Sequence, residues 1–483
     1  MSHTATTAPD PHGHAFFGHP RALGFITFTE VWERFSYYGM QALLVLYLAN
    51  QLLLPGHVEH VAGFDPARWF FDHTYGGGHT LSVKALAAAI VGFYTSTVYL
   101  TPIFGGLLAD SVLGRTRTVI LGAGLMALGH FLMAFDVSFL IALICLMLGA
   151  GCLKGNLAAQ VGSLYQPGDT RRADAFQIYY LGINGGVIFG PMVTGALGQG
   201  IAWHWGFGAA GVGMLISLVI YLSGRRYLPP DPPRGAAARA VAKTVDTQPM
   251  TSREWAVTAL LIALLPVLAL SIVGNNEIFN GYLLWADKAA DLNLFGLHVF
   301  TSQLVSVDSF VSVVTLAGMV LFWRWWATRF KEPDEIGKIV IGCFFGAAGV
   351  LCLAAGASVA AATHQKVGIG WLLAFHLLND LGFANVLPVG LAFYTRSAPK
   401  ALTGFIVGVY YLHLWAGNTL VGWLAGKLDT MPAVQFWVIH AALVGGAGVV
   451  FLVVRLVFGR LILGEPSHLD SVTVVAADAA ETP

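Results

Sequence analysis

Apolar runs of about 20 residues or more alternate along the chain with short polar breaks, which is the spacing needed by helices that cross a hydrocarbon core about 30 Å thick. Dividing at the breaks predicts twelve spans, over 22–54, 82–109, 116–136, 138–163, 172–198, 203–224, 254–286, 299–330, 336–362, 367–395, 399–427 and 432–459. Residues 1–20 are polar and rich in His and Pro, with no short apolar stretch or Ala-x-Ala site, so no cleaved signal peptide is expected. The break at 225–253 carries Arg225, Arg226, a Pro-rich run from Pro229 to Pro233, Arg234, Arg239 and Lys243, and is too short and polar to hide further spans. It reads as a linker. The predicted division is a tail over 1–21, a six-helix bundle over 22–224, the linker over 225–253, a second six-helix bundle over 254–459 and a tail over 460–483. The break at 55–80, with Pro55, Pro66 and Gly76-Gly77-Gly78, is predicted to hold no helix of transmembrane length.

Composition narrows the class. Of 483 residues, 56% are apolar and only 11% charged, which excludes a soluble multidomain protein, a disordered chain and a coiled coil. The formal net charge of 0 leaves no basic face to track nucleic acid, so the partners expected at this level are lipid and a small cargo. Cys145, Cys152, Cys343 and Cys352 all lie in apolar stretches and read as small hydrophobes, without a metal site or disulfide framework. Only Arg68, Lys84, Lys288, Lys366 and Lys427 fall outside if the N-terminus is inside; Arg34 and Lys154 fall within spans, and the other 19 of the 26 cations are cytoplasmic. Both termini are therefore expected in the cytoplasm of a cell inner membrane protein.

An ionised side chain at mid-membrane costs about 2.5–3.5 kcal/mol on insertion scales, which makes such positions informative. The first span holds Glu30, Glu33 and Arg34, then Tyr37, Tyr38 and Gln41. Glu30 and Arg34 are four apart with the acid first, the better orientation for a helical pair, and Glu33 and Tyr37 repeat the spacing. Lys154 sits deep in an apolar, Gly-rich fourth span, far from the Arg171-Arg172 loop. With two acids and one Arg in the first span, a carboxylate is expected to be available to Lys154. Protonating that carboxylate would release the Lys for an anionic group, as a proton-coupled carrier requires.

These residues lie in motifs. EVWERFSYYG over 30–39 resembles the ExxERFxYYG signature of the proton-dependent oligopeptide transporter family, a branch of the major facilitator superfamily. GGLLADSVLGR over 105–115 resembles the facilitator loop motif between spans two and three. GCLKGNLAAQVGSLY and then DAFQIYYLGINGGVIFGP over 174–191 resemble the family signature across spans four and five. The second half matches more loosely, through DLNLFG over 291–296, Pro388 and the loop at Ala398-Pro399. The resemblance implies an all-α major facilitator fold and symport of di- and tripeptides with protons by alternating access, with no cofactor, no enzymatic activity and a monomeric carrier. Carried over by position, it implies a proton-coupling cluster of Glu30, Glu33, Arg34 and Lys154. Arg34 and Lys154 would meet the peptide carboxylate, Tyr37, Tyr38, Tyr94 and Asn184 would line the pocket, and Asp110 and Arg115 would form a conformational latch.

The pattern breaks at one position of the first half and at several of the second. Gln41, in the first span, replaces an arginine usual in the family. Phe383 stands five residues before Pro388, where a glutamate is expected to hold the peptide amino group. The span-seven acid aligns at or beside Asn276, with Glu277 the nearest carboxylate, and Asp308 replaces a frequent asparagine. Glu277, Asp308 and Asp380 are thus candidate replacements, with Asp308 preferred for an ammonium group. The same losses suit an alternative cargo, such as a small organic anion, a nitrate-like ion or an amino-modified peptide. A transport-inactive sensor is the remaining alternative.

Overall fold

A computed structural model describes residues 16–166, 169–231, 250–294 and 296–463. Residues 232–249 of the predicted linker, and most of both predicted tails, lie outside the described residues. The first group of helices comprises α1 (Arg21–Tyr47, continued by a wider turn over Leu48–Leu52), the short α2 (Phe64–Thr74), α3 (Val83–Leu108), α4 (Arg115–Leu132), α5 (Phe139–Ser163), α6 (Arg171–Gly200) and α7 (Trp203–Gly224). The second group comprises α8 (Ser252–Ala263), α9 (Leu265–Ser271), α10 (Val273–Asn276), α11 (Gly281–Ala289), α12 (Leu304–Ala327), α13 (Glu335–Thr363), α14 (Gly370–Ser397), α15 (Thr403–Tyr410), α16 (Leu412–Ala425) and α17 (Ala433–Leu463).

Among the described residues nine helices are long and apolar enough to cross a membrane. Helical segments also occupy the other three predicted spans. They are α1, which carries Glu30, Glu33 and Arg34; α4, which opens on Arg115; and the pair α15–α16, interrupted at Tyr411. Many exposed large apolar side chains, among them Phe104, Leu181, Val219, Leu321 and Leu456, lie on the long helices α3, α6, α7, α12 and α17, as contact with lipid demands. The all-α expectation needs one amendment. Ala290–Asp291 pairs in parallel with Val367–Gly368, and Asn293–Leu294 pairs antiparallel with Leu297–His298, where the interhelical segments run extended.

The predicted seventh span is one helical path in pieces, α8 to α11, broken at Asn280, whose φ of −138° and ψ of −107° lie outside the helical region. A broken helix inside a membrane is tolerated only where the freed backbone groups find partners. Here the Glu277 carboxylate accepts from the Gly281 amide at 2.8 Å and restarts the helix. Small residues set the other decisive contact. Gly182, Gly186 and Gly190 recur every four residues on α6 and face Thr27, Val31, Arg34 and Phe35 of α1. A methyl group on Gly186 would stand 2.8 Å from Arg34 Cβ, so the GINGGVIFG segment is glycine-rich because α6 lies directly on the charged turn of α1.

Hydrogen bonds between the two groups, among the described residues, lie at or near the end of the bundle away from Arg21 and Leu463. Lys84 Nζ meets Asp429 Oδ1 at 2.6 Å, and Ser82 donates to Asp429 Oδ2 at 2.6 Å. Asn50 donates to Asp287 at 3.2 Å, the Ser302 amide to Gln199 at 2.8 Å, and Gln303 to the Met192 carbonyl at 2.9 Å. One turn deeper, Asn280 donates to the Ala88 carbonyl at 3.0 Å, and Gly92 lies backbone to backbone against Gly422. At the opposite end, bonds join neighbours within a group. Asp231 caps α4 by accepting from Thr116 Oγ1 at 3.0 Å, and Arg455 meets Asp334 at 2.8 Å.

Candidate functional site

The α1 charges form one buried lattice. Arg34 Nη2 and Nε donate to Glu30 Oε1 at 2.6 and 2.8 Å, and Nε also lies 3.1 Å from Glu33 Oε2. One guanidinium fork thus serves two carboxylates, an arrangement a point-charge ammonium does not reproduce. The Glu33 side chain is 0% exposed, and neither of its oxygens is in a hydrogen bond; Glu30 Oε2 is likewise without one. The second acid is therefore held by charge alone, the weakest-anchored member of the lattice.

Lys154 differs from its expected position. It makes no ion pair within 4 Å among the described residues; its ammonium instead lies 4.2 Å above the Tyr37 ring and 5.4 Å from the Tyr99 ring. Face-on aromatic rings stabilise a desolvated cation by about 2 kcal/mol, and the carboxylates of Glu33 and Glu30, expected from sequence to serve Lys154, act on it at longer range than a contact ion pair. Tyr37 in turn stacks on Tyr94, with centroids 6.4 Å apart, and the Tyr94 hydroxyl is buried without a partner. Tyr38 reaches across to Phe279 of the second group at 5.9 Å. Tyr99 and Tyr179 were not singled out from sequence. Tyr99 shares the Lys154 ammonium with Tyr37, and Tyr179 borders Glu30 and Arg34 from α6. The paired tyrosines Tyr179-Tyr180 in the fifth-span motif were the available signal.

Other first-group positions lie outside this lattice. Asn184 is half-buried and its amide donates to the Tyr180 carbonyl of its own helix at 2.8 Å. Gln41, in place of the family's arginine, is buried and donates to Thr95 Oγ1 at 3.4 Å. Asp110 is exposed and Arg115 half-buried beside Gly114, where φ is +83°; neither is ion-paired within 4 Å among the described residues. Among the described residues no three His, Cys, Asp or Glu side chains are grouped as a metal ion would require.

The second group requires corrections. Glu277, expected to contact cargo, is 0% exposed, and both its oxygens are occupied, Oε2 by the Gly281 amide and Oε1 by His440 Nε2 at 2.8 Å. It caps a broken helix and pairs with α17. Asp308, expected to stand open to an ammonium, accepts from His376 Nδ1 at 2.8 Å, and His376 Nε2 meets the Tyr282 hydroxyl at 2.8 Å. Three separate helices, α11, α12 and α14, thus supply one chain of buried polar groups. Asp380 lies one turn beyond His376, 1% exposed, with neither oxygen hydrogen-bonded. Phe383 stands with Ser271, Asn275 and Asn379 around a small crevice, so the position expected to be acidic is occupied by a ring among neutral polar groups. His376 and His440 were invisible to sequence reasoning because a lone His in an apolar span carries no spacing signal.

Comparison with known proteins agrees with the motifs. The POT family profile matches residues 116–259 and 275–439. Peptide transporter YePEPT of Yersinia enterocolitica subsp. palearctica serotype O:3 (strain YE-P4) is 30% identical, over 88% of this chain and 92% of that protein. The di-/tripeptide transporter of Lactococcus lactis subsp. cremoris is 27% identical, over 91% and 96%. Among solved structures, that of a peptide transporter POT in complex with sulfate superposes with a TM-score of 0.79 at 25% identity, covering 94% of this chain and 98% of that one. The motif-bearing first half, the helical architecture and these matches together place the chain in the POT family of multi-pass membrane transporters.

Proposed function

We propose that the protein is a proton-coupled symporter that imports di- and tripeptides by alternating access, through twelve spans arranged as two six-helix halves with both termini in the cytoplasm of an inner membrane. The observation that carries the reading is the Arg34 fork on Glu30 and Glu33 beside a Lys154 held by aromatic faces and not by an acid. A peptide carboxylate entering between Arg34 and Lys154 competes with Glu33 for Arg34. Protonation of Glu33 removes that competition, so proton and cargo favour one another, which is the requirement for symport. The peptide transporter names of the relatives support the same cargo class.

In this reading the monomer is the working unit and the proton the coupling ion, with no cofactor and no enzymatic step. One inward proton supplies about 1.4 kcal/mol per pH unit and about 2.3 kcal/mol per 100 mV. Together these sustain accumulation of order a few hundred-fold. The bonds at the Lys84–Asp429 end correspond to a closed outer side, which leaves the Arg34–Lys154 region to be approached from the cytoplasm.

A second cargo reading has one observation in its favour: Phe383 replaces an acid, and Asp308 is engaged by His376, so amine contact is weakened while the cations remain. Uptake of labelled dialanine into proteoliposomes, with and without an inward proton gradient, tests both. Gradient-dependent accumulation by the wild type, abolished in Lys154→Ala, is the expected result. If dialanine neither accumulates nor competes, amino-blocked peptides and small anions become the cargo to examine.

A further inference from the structure

The second group contains two buried carboxylate–imidazole pairs, and their hydrogen bonds permit different proton behaviour. At His440, Nδ1 faces the Phe436 carbonyl at 2.8 Å and must carry a hydrogen, because the carbonyl only accepts. Nε2 then faces Glu277 Oε1 at 2.8 Å, and two acceptors at that distance need a proton between them. Both side chains are 0% exposed, so this proton is fixed in place.

His376 is built otherwise. Its Nδ1 donates to Asp308, while Nε2 faces a hydroxyl, a group that donates or accepts by turning its O–H bond. With the ring neutral, Tyr282 donates to Nε2; with the ring protonated, Nε2–H donates to the Tyr282 oxygen. Both ring nitrogens keep a partner in either state, so gain or loss of a proton orphans neither.

Asp380 adds a second observation. It follows His376 by one helical turn, is 1% exposed, has no hydrogen bond at either oxygen, and is close enough to Asp308 for the two carboxylates to repel. Asp308, His376 and Asp380 thus bring two buried carboxyl groups and one imidazole together on α12 and α14. Ionisable groups on the elements packed around them include the Glu277–His440 pair on the α10–α11 path and α17, Cys343, Cys352, Glu335 and Lys338 on α13, Asp174, Tyr179 and Tyr180 on α6, and Tyr410 on α15. Asp308, 12% exposed at its side chain, is the point of entry, since His376 is 0% exposed.

We propose that Asp308, His376, Tyr282 and Asp380 form a second exchangeable-proton site, within the C-terminal half, that loads and unloads one proton per transport cycle. It rests on the proton-coupled reading above and adds a site to it. During loading a proton from water enters at Asp308 and ends on His376 Nε2 or on the Asp308–Asp380 pair, and during unloading it returns to water by the same groups.

Limiting accumulation at zero membrane potential, compared with gradient-independent counterflow, tests the proposal in the wild type, Asp380→Asn, Tyr282→Phe and His440→Phe. Each coupled proton multiplies the accumulation ratio by about ten per imposed pH unit. Asp380→Asn and the volume-preserving Tyr282→Phe are expected to keep counterflow and lose about tenfold in the ratio, while His440→Phe keeps the wild-type ratio. A wild-type ratio in both site variants overturns the site; so does collapse to the undriven ratio, which would make it the sole proton site and not a second one. Indifference of the wild type to the gradient would instead sink the coupling reading. The site itself is then judged by infrared difference spectra across a pH jump on the detergent-solubilised protein, where a buried carboxyl band absent from Asp380→Asn is expected and an unchanged spectrum overturns it.

Discussion

The two halves bury ionisable groups by opposite chemistry. In the first, a guanidinium that never loses its proton forks across Glu30 and Glu33, and a separate ammonium lies on tyrosine faces, so any exchangeable charge must be carried by an acid or by Lys154. In the second, His376 and His440 stand opposite Asp308 and Glu277, so each of these acids is met by an imidazole in place of a permanent cation. The first half holds its cations beside buried acids and tyrosine rings; the second sets its acids against imidazoles. Membrane burial therefore does not dictate one way of handling charge. Where a buried charge has a partner, the identity of that partner sets how tightly its charge is held.

The difference is broken most severely at Arg34. Arg34→Ala leaves Glu30 and Glu33 buried without a counter-charge, and a loss of about 3–5 kcal/mol in stability is expected by thermal unfolding in detergent. Arg34→Lys recovers part of it, because one ammonium cannot bridge both acids. Lys154→Gln should behave oppositely, staying within about 1 kcal/mol of the wild type while losing driven uptake, since its present partners are neutral rings. Equal destabilisation by Arg34→Ala and Lys154→Gln would show that Lys154 belongs to the ion-pair lattice after all. In the second half, His440→Phe strands Glu277 Oε1 inside a closed site and is expected to cost about 1–3 kcal/mol, with transport per folded molecule unchanged. A transport defect there would mean that the Glu277 proton is not fixed.

Legibility divides along the same line. The helices were readable from apolar run length alone, and the α1 cluster from charges spaced three and four apart, because both signals are local. The Gly182, Gly186 and Gly190 repeat was also present in the sequence, although only the structure shows that it lies against Arg34. What could not be read was pairing across helices. Lys154 takes rings from α1 and α3 where the charge balance suggested a carboxylate. Glu277 caps the broken helix at Gly281, and Asp308 meets a histidine 68 residues away. Each of these partners is fixed by how helices rotate about their axes, and a helix turns about 100° per residue, so a uniformly apolar span gives no face by which to judge it.

The smallest expected effect lies where the halves meet, at Asp429. Burial alone would raise its carboxyl, but hydrogen bonds from Ser82 and Lys84 outweigh that and hold it below the ordinary carboxylate range. The closure it provides is therefore complete above that ordinary range and is lost as pH falls through the lowered value. In the proposed orientation an acidic outer medium protonates Asp429 and loosens that end, the direction that would let a proton-coupled importer open toward its proton source. A partly exposed pair contributes about 0.2–1 kcal/mol, so Asp429→Asn is expected to shift the closed-to-open ratio by no more than about fivefold and to remove its pH dependence. Spin-label distances across the α3–α16 end, measured against pH and salt, check this. A distance distribution that still responds to acid in Asp429→Asn would place the outer pH response elsewhere, and an effect insensitive to salt would show that the bond works by shape and not by charge.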